Sequence, residues 1–456
     1  MRKSLIAKTA HFPTLLKKKL GFVLNALQPP KRLPNWAPTF VVTAYFLGWF
    51  SYFFYFWANA IIINNEGGIS AQMVNLWGDW AAHFTMGSAM AERGLLLTTS
   101  PFLLNASFSY PFVADMISAV LIRMHLDFFM AFVLPSFVFS CLFVIALFVF
   151  YKQLLKSVVL ALLASTIFLF NGGTGFVYYF KDVAESPNKI ETALNPPRDY
   201  TNMEELHYRW ISVITSMVMP QRAFTLGFPV TLLLLTIILK YSEEEEKSAT
   251  EHPLKIFLKK LISKPANQLN RRTWFFASAA IAGILPIIHT HSFLVLFIVL
   301  AFWSLRDVVL ARGRSARTRA LLDWTIFAFI TACVALPLLS IFILNNVHSS
   351  FIKWYPGWYV GNDYPTETLL SFWFKNWSVV PLLTLGGLIT ASLSPKKNIQ
   401  KLHQLFTYAP FIILFILTNL VLFQPFVWDN TKILVWASVG FAALTAVFLH
   451  TLWQKH

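Results

Sequence analysis

The 456-residue chain predicts an all-α polytopic membrane protein with about ten transmembrane helices. Three observations carry that class. First, 56% of the chain is hydrophobic and only 13% is charged, with 45 Phe; a soluble protein of this length cannot hide so much apolar surface. Second, apolar stretches recur along the chain at close to the roughly 20 residues that cross a bilayer. Third, cations and acids separate into different connecting segments, as they do when Lys and Arg are retained on the cytoplasmic side.

Residues 1–35 are basic and weakly amphipathic, with no clear apolar core or cleavage site of a signal peptide. They read as a retained cytoplasmic or interfacial segment. Residues 36–456 read as one integral membrane domain. Its spans are expected near 36–63, 128–151, 157–171, 211–240, 273–289, 291–305, 322–344, 376–394, 403–424 and 431–452. The external segments are then about 64–127, 172–210 and 345–375. The loop at about 241–272, with "SEEEEK" and the amphipathic "LKIFLKKLI", is cytoplasmic.

This drawing turns on "YPFVADMISAVLIRM", Tyr110 to Met124. The stretch is apolar, but it is too short to cross and carries Asp115 and Arg123. If it crossed, the basic segments that follow would face outside. Kept as a non-crossing helix, it leaves 27 of the 37 Lys and Arg inside with 7 of the 21 acids. The outside holds 10 cations and 14 acids. The net charge of +16 is thus an orientation signal and does not suggest a nucleic-acid partner. Cys141 and Cys333 lie inside apolar runs and read as packing residues. No soluble domain and no internal repeat is visible.

The external segments collect the polar residues with chemical potential. "NLWGDWAAHF" sets Asp79 and His83 four apart, on one helical face. The pattern Trp77, Trp80, Ala81, Phe84 suggests a helix lying on the membrane. Asp79 is then either a first-turn acid favoured by the helix dipole or a carboxylate held at the interface as a general base. Asp115, a turn into the next short helix, is expected at the same boundary. Asp182 is a further external carboxylate, after the glycine-broken exit "FNGGTGF". Arg222, beside Pro220, either presents a fixed fork to a phosphate or snorkels. His289 and His291 form a His-x-His turn between two barely spanning segments. Metal ligation needs partners not evident there, and neutral imidazoles in a wet cavity are the simpler reading. In "WDNTK", Asp429 is either a helix cap or a site residue, and Lys432 either a surface cation or a phosphate contact. Together these residues describe a mixed-charge chamber where water meets lipid. It suits a substrate with a greasy tail and an anionic head.

The order of these pieces resembles the GT-C superfamily of membrane glycosyltransferases. "GDWAAHF" with Asp79, "YPFVADMIS", the inter-span "YKQLLKS" and the exit at Asn171 carry the resemblance; "HTH" and "WDNTK" are similar to features of uncharacterised bacterial members. The resemblance runs from about 36 to 452. The family's loop acid is commonly an acidic pair, whereas Asp79 is flanked by Gly78 and Trp80. The resemblance implies transfer of a sugar from a polyprenyl-phosphate donor to an acceptor hydroxyl at the external face of a prokaryotic cytoplasmic membrane. It implies Asp79 as base with His83 or a second acid such as Asp182 in support. Arg222, Lys432 and His291 would receive the phosphate, within a substrate-binding set that includes Asp115, His289 and Asp429. A divalent cation (Mg or Mn) bridging Asp79 and Asp182 is one option, and a metal-independent reaction the other. The apolar groove between spans would hold the prenyl tail among membrane lipids. The alternative is a secondary transporter or flippase of a lipid-linked or anionic substrate, which needs its polar residues near the membrane midplane on broken helices.

Overall fold

The computed structural model describes residues 37–63, 68–71, 76–250, 266–344, 352–393 and 398–455. The N-terminal segment 1–35 and the middle of the 241–272 loop lie outside the described residues.

Fourteen α-helices make up about three quarters of the described chain, with two short antiparallel strand pairings. Helix α1 is Ala37–Asn59, followed by β1 (Ile61–Ile63) paired with β2 (Ile69–Ala71). Two helices of the first loop follow, α2 (Leu76–Arg93) and α3 (Val113–Arg123), then α4 (Phe128–Leu155) and α5 (Val158–Phe170). A lobe comes next with α6 (Phe176–Glu185) and α7 (Lys189–Leu194). Helix α8 (Arg222–Thr250) then leads to α9 (Ala266–Leu310) and α10 (Arg314–Phe342). The last part is β3 (Lys353–Trp354), α11 (Leu369–Trp377), α12 (Val380–Leu393), α13 (Asn398–Thr418), β4 (Val421–Leu422) and α14 (Thr431–Lys455). Strand β3 pairs antiparallel with β4.

Local chemistry explains the boundaries. Asp127 caps α4, its carboxylate accepting from Phe129 N and Met130 N, both at 3.0 Å. Ser157 caps α5 through Leu160 N at 3.3 Å. Among the described residues, seven helices are long and apolar enough to cross a membrane, and α5 and α12 are shorter apolar helices.

Helix α9 is 45 residues long, but it is not one rod. Phe275, near its start, packs on Trp324 with ring centroids 5.3 Å apart. Asp307, near its end, accepts from the same Trp324 indole at 3.2 Å. A straight helix would hold those two residues about 48 Å apart at 1.5 Å per residue. The chain therefore doubles back at His289, whose φ of −162° and ψ of 101° break the helix. Pro286 contributes no N–H to the end of the first leg. His289 caps the second leg, its Nδ1 accepting from Ser292 N at 3.2 Å. The two spans expected at 273–289 and 291–305 are these two antiparallel legs. Counting α9 twice, the described residues contain ten apolar segments, in the order the sequence suggests.

The bundle has two distinct ends. One carries Lys156 paired with Glu243 at 2.5 Å, Ser242 bonded to Asp307 at 2.6 Å and Tyr241 bonded to Asp323 at 2.6 Å. These residues flank the basic connections, so we name it the basic end. The acidic end carries the first loop, the α6–α7 lobe, the His289 turn and the start of α14. Helices α14 and α8 are the most enclosed, with 78% and 67% of their apolar windows buried, against 11% for α10. The interior helices thus deliver their ends to the centre of the acidic end, where the site lies.

Candidate functional site

Helix α2 has a protein-facing side beside the exposed one expected of an interfacial helix. It buries a stripe of Leu76, Trp80, His83, Met86 and Met90 against α3 and α4. Gly87 permits the approach: a Cβ there would sit 2.5 Å from the Phe132 ring. The buried stripe carries His83 inward, and Asp79 stands half-buried one turn before it.

Asp115 and Arg222 face each other rather than the boundary or a headgroup. Asp115 is fully buried and Arg222 is 1% exposed. The carboxylate receives His83 Nδ1 at 2.9 Å and is ion-paired to the Arg222 guanidinium. Arg222 also donates to Ser118 Oγ at 2.6 Å and Ser136 Oγ at 3.2 Å, and lies over the Phe132 ring at 4.8 Å. This corrects both expectations for Arg222, the phosphate fork and the snorkelling cation. It equally corrects the boundary position expected for Asp115. The physical reason is that a buried carboxylate and a buried guanidinium each require the other. Their separation of 107 positions hid the pair from local pattern reading. The cluster ties α2, α3, α4 and α8 together.

Asp79 remains available on one side. Its Oδ2 accepts from Gln221 Nε2. Gln221 follows a single π-turn, Ile214–Val218, and such turns often mark functional sites. Burial pushes the Asp79 carboxyl above the ordinary carboxylate range; His83 and Lys432 oppose the rise, and Asp429 adds to it. Tyr110 shares this field. Its phenol is raised by desolvation and then by the negative charges of Asp115, Asp79 and Asp429. Its ring centroid lies 6.3 Å from that of His83. Gln221 and Tyr110 are the site members that sequence reading left in the background. Their signal was weak, since each stands beside a proline that already explained it.

The opposite wall comes from α14 and the α9 turn. Lys432 Nζ pairs with Asp429 at 3.2 Å. Asn430 fixes this turn, its side chain bonded to Thr418 O at 2.8 Å, Val421 O at 2.9 Å and Phe423 N at 3.1 Å. Lys432 lies within electrostatic reach of Asp79, His289 and His291. The two imidazoles are 5.1 Å apart, and the buried Nδ1 of His291 has no hydrogen-bond partner. Gly227 on α8 fits the turn closely: a Cβ there would sit 2.4 Å from His289 Cβ. Thus three separate parts of the chain, carrying Asp79 and His83, His289 and His291, and Asp429 and Lys432, converge around Lys432, with the Asp115–Arg222 pair joined to them through His83.

Asp182 belongs to a different cluster. Arg198 holds it bidentately at 2.9 Å and Tyr200 donates at 2.7 Å. The Tyr200 hydroxyl and Arg198 lower its carboxyl below the ordinary value. It is therefore engaged within the α6–α7 lobe rather than with Asp79. Among the described residues no group of three or more His, Cys, Asp or Glu is arranged to hold a metal ion. Asn376, which opens an Asn-Trp-Ser sequon, faces inward. Asn376 is 1% exposed, and its amide bonds Arg209 N, Trp210 N and His207 O.

The likeness to known proteins is one of structure. No family model and no curated protein matches the sequence. An oligosaccharyltransferase from Archaeoglobus fulgidus, solved tethered to an acceptor peptide containing an NVT sequon, aligns over 90% of this chain. The TM-score is 0.50 and the identity 12%. The fold is similar to a GT-C oligosaccharyltransferase fold. A second structure of the enzyme from that organism, in complex with an inhibitory peptide and a dolichol-phosphate, aligns over the same share with a TM-score of 0.38. The chain spans about half the length of the solved structure it matches, which is 50% covered. Within this fold, the membrane bundle and the two-helix first loop are the elements that hold the site described above.

Proposed function

We propose that this chain is a membrane glycosyltransferase. It moves a sugar from a polyprenyl-phosphate donor to an acceptor hydroxyl at the acidic end, which faces the cell exterior in a prokaryotic cytoplasmic membrane. The observation that carries the reading is that Lys432 lies within electrostatic range both of Asp79 and of the His289–His291 pair, at the end of an apolar bundle similar to a GT-C fold. Asp79 takes the acceptor's hydroxyl proton; its raised basicity suits that task, and Gln221 occupies one of its oxygens, leaving the other free. The acceptor oxygen bonds to the anomeric carbon as the bond from that carbon to the phosphate oxygen breaks. The polyprenyl phosphate departs with the electron pair, stabilised by Lys432 and His291.

The charge inventory favours a single phosphate. Arg222 is committed to Asp115, and Lys432 is shared with Asp429. A site with so little surplus positive charge suits a monoanionic phosphodiester better than a diphosphate. A Mg or Mn ion at Asp79, if it takes part, would add charge at that same carboxylate. The transporter reading loses its main support in the α9 break. That break is the turn joining two antiparallel spans at one end, whereas a transporter's discontinuous helix is broken near the midplane.

The test is transfer from radiolabelled polyprenyl-phosphate sugars in proteoliposomes. Wild type should form product with at least one of them, and Asp79→Asn should lose about 10²–10⁴-fold in rate, the usual worth of a general base. Full activity of Asp79→Asn would return this acid to a structural role.

A further inference from the structure

One apolar helix is too short for the bilayer it stands in. Helix α5 has 13 residues, about 20 Å at 1.5 Å per residue, against a hydrocarbon core of roughly 30 Å. Helix α12, described from Val380 to Leu393, shares a neighbour with it in the bundle. Both pack on α14. Helix α5 starts at the basic end, directly after Lys156, so its last residue, Phe170, stops short of the opposite boundary. That residue is 70% exposed.

Each of these two helices is joined at its acidic end to an amphipathic helix by a sharp turn. Gly173 at φ +74° turns α5 into α6, and Ser378 at φ 53° joins α11 to α12. The two turns interlock. Thr174 N donates to Lys375 O at 2.8 Å, and a Cβ on Gly173 would meet that carbonyl at 2.1 Å. The helices also share a design. Phe176 and Phe180 stand exposed one turn apart on α6, as do Leu370 and Phe374 on α11, with Leu370 86% exposed. Their other faces are satisfied. On α6, Tyr179 bonds Ala193 O at 3.0 Å and Asp182 is held by Arg198. On α11, Phe372, Trp373 and Trp377 are buried.

We propose that α6 and α11 form an in-plane platform seated in the interfacial layer of the leaflet at the acidic end. Their exposed Phe and Leu side chains lie among the acyl chains, making up the depth that α5 does not span. Amphipathic helices bind at this depth through their apolar face. The exposed face continues from the lipid-facing Phe170, and four side chains are a small patch beside the roughly 800 Å² per partner of a specific protein interface.

The test uses the full chain in phosphatidylcholine–phosphatidylglycerol vesicles, with the photo-cross-linking residue benzoylphenylalanine placed singly at Phe180 and Leu370. Phe329, 69% exposed on the spanning α10, is the lipid-facing control, and buried Trp377 is the enclosed one. Both test positions should yield phospholipid adducts at a level close to Phe329 and several-fold above Trp377. Phe176 and Phe374 replace them if either variant fails to purify folded. Adducts to a second copy of the chain, or lipid adducts at Phe329 with none at either helix or at only one, would overturn the platform.

Discussion

At the scale of single residues, the site divides into groups that hold structure and groups left free to react. Burial raises the Asp79 carboxyl, with the charges of His83 and Lys432 working against it. A base must be ionised, so transfer should fall as pH drops through a value above the ordinary carboxylate range and level off above it. The same rise means that the folded state favours protonated Asp79, so its ionisation at neutral pH works against folding. Asp79→Asn should therefore melt at or above the wild-type temperature while losing its transfer rate. A variant that loses both together would identify Asp79 as structural. Arg222 is the contrasting case. Its guanidinium serves Asp115, Ser118 and Ser136 at once with 1% exposure. Removing one partner of a buried pair costs about 3–5 kcal/mol, so Arg222→Ala should lower thermal stability sharply. Arg222→Lys should recover only part of it, because an ammonium lacks the planar fork. The check is the melting temperature in detergent beside the KM for donor. An Arg222→Lys variant with unchanged melting and a raised donor KM would restore the phosphate role that its burial argues against.

At the scale of elements, the turn inside α9 decides whether His289 and His291 reach the site at all. Gly227 gives α8 its close passage, with a would-be Cβ only 2.4 Å from His289 Cβ. Gly227→Ala must push the turn away from α8. Overpacking of this kind costs about 1–3 kcal/mol, and the displaced histidines should lower transfer beyond the loss of stability. Gly48 on α1 is the control, since a Cβ there meets nothing within 4 Å. Gly48→Ala should be silent or slightly stabilising, because glycine is a poor helix residue. Equal behaviour of the two variants would remove any special role for the turn. Most elements were legible in the chain because their signals are local. The apolar runs and the basic connections between them announce the spans, and "ILPIIHTH" announces a break between two short spans. What was not legible is partnership at a distance. Nothing near Arg222 reveals Asp115, 107 positions away, and nothing near Asp79 reveals that Gln221 will hold it. Asp182 misled for the same reason. As a lone external carboxylate it looked available, until Arg198 and Tyr200 folded back onto it.

At the scale of the whole molecule, charge along the chain and packing in space tell one story by independent routes. The sequence assigns most cations to one side of the membrane through a rule about insertion. The fold gathers residues of those same connections, Lys156, Glu243, Asp307 and Asp323, at one end of the bundle. The short α3 is what keeps the two in step. Its 11 residues extend about 16 Å, and its buried Asp115 is committed to α2 and α8, so it packs within the acidic end without crossing. Had it crossed, every later connection would change sides, and the basic loop before α9 would lie opposite to the side its lysines favour. Single cysteines at Ser186, in the lobe after α6, and at Ser248, near the end of α8, separate the two topologies. The native Cys141 and Cys333 are first replaced by serine. In intact cells a membrane-impermeant maleimide should label the Ser186 position and leave the Ser248 position unlabelled until the membrane is opened. Labelling at Ser248 from outside would invert the drawing. It would turn the acidic end, with Asp79 and Lys432, toward the cytoplasm, where the proposed external transfer cannot occur.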